Sequence, residues 1–102
     1  MDSKREKSKN ELKDKIVAKI ENTPYTMVSF DYSWEHFGNA VVVLKRGNDQ
    51  YYMRFICDRS DIYFENQVGK MRDTEWKHIG CITVGDQDRY SLFLNVIEKH
   101  AI

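Results

Sequence analysis

The sequence predicts a two-layer α+β domain: an antiparallel sheet of four or five strands, with an N-terminal and a C-terminal helix packed on one face. Three observations predict it. Amphipathic helical spacing occurs at the two ends of the chain. Between them, short runs rich in aromatic and β-branched residues alternate with turn clusters. The connections between these runs are too short for parallel crossovers, which need about a dozen residues or more, so neighbouring strands should run antiparallel. At 102 residues the chain suffices for a single domain, 1–102, with residues 1–7 expected to fray.

Residues 2–21 are rich in helix formers. Leu12, Ile16, Val17 and Ile20 form one apolar stripe, and Ser8 or Asn10 offers an N-cap, Ser8 with Glu11 in capping-box spacing. Asn22-Thr23-Pro24 ends the helix, because the residue before proline is pushed out of the helical region. Residues 25–34 read as a strand, with Val28, Phe30, Tyr32 and Trp34 on one parity and Met27, Ser29, Asp31 and Ser33 on the other. Residues 39–46 and 50–57 form a hairpin around Arg46-Gly47-Asn48-Asp49. A turn at 58–61 leads to a short strand, 62–65, and a polar loop, 66–75. Trp76 to Val84 suggests a fifth strand weakened by Gly80. Asp86 then caps a final helix whose Tyr90, Phe93, Leu94 and Ile97 face the core.

Composition excludes several functions. Sixteen basic and sixteen acidic residues cancel, and the pI is near 6.8, so the domain is not a nucleic-acid-binding polycation. Residues 1–21 carry seven basic and five acidic side chains, the pattern of a solvated helix face. No apolar run approaches the ~18 residues of a membrane span, and the N-terminus lacks the apolar core of a secretory signal. Direct nucleic-acid and membrane partners are therefore not expected, and the protein reads as cytoplasmic. Cys57 and Cys81 match no zinc spacing and read as free thiols, both suited to burial. His36, His78 and His100 are scattered, so no metal site is expected. No nucleophile elbow or phosphate loop is present, and no cofactor or enzymatic activity is expected. A small enzyme or nuclease using Glu or Asp with His78 or His36 is the weakest alternative.

Protein binding has more support. The chain holds two Trp, six Tyr and five Phe. Strand parity puts Tyr51, Met53 and Phe55 on one side and Tyr52, Arg54 and Ile56 on the other. If helices cover one side, aromatics and an arginine remain on the other, the residue types enriched in binding hot spots. Alternatively, the 66–75 loop covers that side. An acidic run of Asp58, Asp61, Glu65, Asp73 and Glu75 could steer a basic partner.

The stretch Phe37-Gly38-Asn39-Ala40-Val41-Val42-Val43-Leu44, followed by Arg54-Phe55, Asp58-Arg59 and Ile62-Tyr63-Phe64, resembles small bacterial immunity proteins encoded beside polymorphic or contact-dependent toxins. The likeness covers residues 34–65. Where those proteins often carry glycine after the Asp-Arg pair, Ser60 stands here. The resemblance implies a chain that binds a cognate toxin domain, nucleases included, and neutralises it by steric and electrostatic occlusion. On that reading Asp58, Asp61, Glu65 and Glu75 mimic phosphate charge, with Tyr52, Arg54 and Tyr63 as anchors. The alternative is a non-enzymatic interaction or regulatory domain, homodimeric through its exposed sheet.

Overall fold

The computed structural model describes residues 3–47, 50–72 and 74–101. Helix α1 (Ser3–Ile20) leads into strand β1 (Tyr25–Ser33) and a 3-10 turn (Trp34–His36). Strands β2 (Asn39–Arg46), β3 (Tyr51–Cys57), β4 (Asp61–Val68) and β5 (Lys77–Thr83) follow, and helix α2 (Arg89–His100) closes the chain. The strands form one sheet in sequential order, every neighbouring pair antiparallel. This is the expected α+β architecture with five strands.

In α1, Leu12, Ile16 and Ile20 recur every four residues and are buried, which puts them on one helix face. Val17, expected in the same stripe, is 44% exposed, because one residue further on rotates about 100° around the helix. The helix begins at Ser3, so Ser8 and Asn10 lie inside it and are not its cap. Residues 3–7 are helical; the fraying expected of Met1 and Asp2 lies outside the described residues. At the other end the Thr23 hydroxyl donates to the Ile20 carbonyl at 2.7 Å and accepts from the Tyr25 amide at 3.1 Å, which carries the chain out of the helix.

The cap of α2 is Asp88, not Asp86. A capping carboxylate accepts from the amide two or three residues on. Asp88 accepts from the Ser91 amide at 3.0 Å and the Ser91 hydroxyl at 2.7 Å, and these bonds hold its carboxyl below the usual range. Phe93, Leu94, Val96 and Ile97 are buried. Both helices join the same core cluster as Ala40, Val42, Leu44, Met53, Phe55, Cys57, Ile62 and Phe64. These strand residues share one parity in the ladder, so the helices cover one sheet face.

Two bulges adjust the edge strands. In β1, Met27 pairs with Leu44 and Ser29 with Val43, leaving Val28 as the extra residue. The bulge switches parity, so Tyr25, Met27, Phe30 and Tyr32 all pack toward the core while Val28 stands 48% exposed. The simple alternation that grouped Val28 with Phe30 is thereby corrected. In β5, Ile79 is the extra residue between His78 and Gly80. Gly80 sits under the Phe64 ring, where a Cβ would come within 2.7 Å of a ring carbon, so glycine permits the close approach. β4 continues to Val68, three residues beyond the short strand expected.

The Phe64 ring also meets the His100 imidazole, centroids 4.3 Å apart. Burial, and secondarily the Lys99 charge, hold the His100 pKa below its ordinary value. The unfolded chain therefore takes up a proton that the folded chain resists. This contribution to stability is complete above the unfolded value of about 6.5 and is lost as pH falls through the lower folded value. Thermal melts from pH about 7.5 to about 5 should show a steeper loss for the wild type than for His100→Phe. Parallel declines would show that this histidine does not couple folding to pH.

Candidate sheet-face interface

The sheet face opposite the helices is built by the alternate residues of the same strands. On β3 these are Tyr52, Arg54 and Ile56. Across the ladder, Lys45, Val43 and Val41 pair with them from β2, and Gln67, Glu65 and Tyr63 from β4. Asp61 extends the β4 row, opposite Thr83, and Cys81 lies beside Tyr63.

Arg54 and Glu65 form the centre. The guanidinium meets Glu65 Oε1 at 2.5 Å through one terminal nitrogen and at 2.7 Å through Nε. Their side chains are 26% and 16% exposed, and the Trp76 ring lies 4.7 Å from the guanidinium carbon. A planar cation between a carboxylate and an indole is held in one orientation. Truncating Arg54 to Ala leaves Glu65 shielded from water without its partner. We expect a loss of about 1–3 kcal/mol. The double variant Arg54→Met/Glu65→Leu should recover most of it, because an apolar pair of similar volume removes the desolvation penalty. Chemical denaturation of the four chains checks this; additive losses would show that the two residues act independently.

The segment after β4 covers part of this face. Gln67 is buried, and its side-chain amide clamps the backbone of Arg72: Nε2 donates to the Arg72 carbonyl and Oε1 accepts from the Arg72 amide, both at 2.8 Å. The chain then rises to place Trp76 on Arg54. The loop thus covers one end of the face, while Val41, Ile56, Tyr63 and Cys81 lie at the other, partly or fully exposed.

Five of the seven anticipated residues, Tyr52, Arg54, Asp61, Tyr63 and Glu65, share this face. The four carboxylates do not form one patch: Asp58 and Asp61 share the β3–β4 turn beside Tyr63 and Cys81, while Glu65 and Glu75 lie apart from them. Glu65 is neutralised by Arg54. Glu75 borders a cleft of about 550 Å³ also lined by Lys70, Arg72 and Lys77. Asp58 shapes the β3–β4 turn, accepting from the Ser60 amide at 2.9 Å, while its own amide donates to the Asp61 carbonyl at 3.0 Å. Asp73 lies outside the described residues.

Cys81 is exposed on this face, correcting the expectation of burial; Cys57 is buried as expected. Burial pushes the Cys57 thiol up to about 11. Partial desolvation and then the Asp61 charge raise that of Cys81, and the Asp61 charge raises the Tyr63 phenol. Neither thiol is therefore activated as a nucleophile. The residues that sequence reasoning did not single out are Val41, Ile56 and Trp76. The parity of β3 already grouped Ile56 with Arg54, but nothing local to Trp76 announces that it folds back over the sheet.

Among the described residues, no helix is long and apolar enough to cross a membrane, and no cluster of three or more His, Cys, Asp or Glu could hold a metal ion. No family model matches the chain, and no curated protein or solved structure matches it. The geometry alone defines its class: a five-stranded antiparallel meander with both helices on one face and an aromatic, charge-centred surface on the other.

Proposed function

We propose that this chain is a protein-binding module that neutralises a bacterial toxin domain by covering its working surface. The helix-free sheet face is the docking surface, and no bond is made or broken by the chain itself. The observation that carries the reading is the convergence of Tyr52, Arg54, Ile56, Tyr63 and Glu65 on that face. Tyr and Arg are hot-spot residue types, and a rigid sheet presents them at little entropic cost. The resemblance to immunity proteins adds support, because residues 34–65 span β2, β3 and most of β4, the strands that carry the patch. Occlusion rests on aromatic and apolar contact around one internal ion pair, with Asp61 and Asp58 as a charged margin for steering.

The test is a rescue assay. The C-terminal region of the protein encoded immediately upstream is expressed in a bacterial host with and without this chain, and colonies are counted. Death prevented by this chain, with co-purification of the two proteins, is the expected result. A harmless upstream region, or killing that this chain does not relieve, would overturn the reading.

A further inference from the structure

A second site lies away from the docking face. At the end of the sheet where β1 turns into β2, a cleft of about 620 Å³ opens between that corner and the first turn of α2. Its walls are aromatic: Tyr32, Phe37 and Tyr90. Its cations are Arg59, from the β3–β4 turn, and Arg89, from α2. The volume falls within the range of small-molecule sites, about 300–1,000 Å³.

The corner is held open against its own preferences. Phe37 has φ 59° and is 64% exposed, so a bulky apolar residue sits in the left-handed region at the surface. Gly38 follows at φ 69°, and a Cβ there would collide with the Tyr90 hydroxyl. Strain of this kind persists only where the surroundings enforce it. Here Arg89 donates to the Phe37 carbonyl and, at 3.3 Å, to Asn39 Oδ1, while the Tyr90 hydroxyl donates to the Gly38 carbonyl at 2.6 Å.

The direct partners of both guanidiniums are uncharged groups. Arg89 is engaged by neutral oxygens alone, those of Phe37, Asn39 and Tyr90. Arg59 lies 4.5 Å from the Phe37 ring centroid. Among the described residues, no ion pair joins either to a carboxylate. The nearby carboxylates of Asp88 and Asp58 accept from Ser91 and Ser60 and keep their negative charge, and Asp88 attracts Arg89 through space without a direct ion pair. Burial pushes the Tyr90 phenol up to about 12, so it adds no negative charge to the cleft.

We infer that this cleft binds a small aromatic carboxylate, its ring against Tyr32, Phe37 and Tyr90 and its charge on Arg59 and Arg89. Aromatic walls favour a flat apolar body over a free inorganic anion, and a guanidinium fork matches a carboxylate in plane. The site goes beyond the proposed partner binding, and either can fail without the other.

The test is an NMR titration of the full ¹⁵N-labelled chain with three probes: 4-hydroxyphenylacetate, its neutral amide 4-hydroxyphenylacetamide, and inorganic phosphate. Saturable shifts confined to Phe37, Gly38, Asn39, Arg59, Arg89 and Tyr90 are expected with the carboxylate. The amide and phosphate should each bind about tenfold more weakly or worse, as should the carboxylate to Arg59→Gln. Arg59 takes no part in the hydrogen bonds of the latch, which Arg89 and Tyr90 make, so that variant keeps the latch, and its own spectrum reports whether it is folded. Absence of shifts at millimolar carboxylate, shifts elsewhere, equal binding of the amide, equal binding of phosphate, or unchanged affinity in folded Arg59→Gln would each overturn the assignment.

Discussion

Phe55→Ala is expected to lower the free energy of unfolding by about 3–5 kcal/mol. Phe55 is fully buried on the middle strand of the sheet, paired across the ladder with Val42 on one side and Phe64 on the other. Its ring stacks with that of Phe64 at 6.4 Å, and the strand lies under α2. Removing it opens a cavity where sheet and helix layers meet, and backbones on both sides are too constrained to close over it. A domain of this size holds only about 5–15 kcal/mol in total, so the variant should be partly unfolded at growth temperature. Urea denaturation with a shifted midpoint and an unchanged slope is the expected readout. Val68→Ala serves as the control: Val68 is 73% exposed, and its change should stay within about 0.5 kcal/mol. A loss for Phe55→Ala no larger than the control's would mean that the helix layer is not packed on β3.

Ile56→Asp should weaken the partner complex by about 100-fold or more, equivalent to about 2.7 kcal/mol. Ile56 lies between Val41 and Tyr63 at the uncovered end of the docking face and is only partly buried in the free chain. A carboxylate there remains hydrated in the free protein, so stability should fall by no more than about 1 kcal/mol. In the complex the same group loses its water opposite an apolar contact, and that cost appears entirely as lost affinity. Thr26→Asp, on the edge strand β1, adds the same charge at the margin and should change affinity little. Calorimetric titration against the toxin domain identified by rescue measures both. Unchanged affinity for a folded Ile56→Asp chain would move the docking surface off this face.

Much of the fold was legible because its signals are local. The spacing of Phe93, Leu94 and Ile97 reports the buried side of α2 without reference to any other element. The alternation in β3 reports which side chains oppose the helices, and it identified Tyr52 and Arg54 as partners on one face. Other features depended on what a residue meets across space. Asp86 and Asp88 are equivalent as cap candidates in sequence; only the reach of Asp88 to Ser91 distinguishes them. Cys81 follows a glycine in an apolar run, yet it is exposed because it pairs with Tyr63 and so faces the helix-free side of the sheet, whereas its neighbour Ile82 faces the core.

The candidate site divides in the same way. Its residue types and the parity that groups them belong to the sequence, since a strand's pleat fixes which side each residue takes. The neutralisation of Glu65 by Arg54, the cover supplied by Trp76 and the separation of Glu65 and Glu75 from the Asp58–Asp61 turn all arise from ladder register and from the loop that follows β4. Helix faces, strand alternation and the hairpin were therefore determined by the sequence itself, because each depends on residues within a few positions of one another. The strand order, the bulges at Val28 and Ile79, the covered end of the docking face and the arginine-lined corner cleft were decided by tertiary structure, because each joins residues that meet only after the meander has closed and the helices have packed upon it.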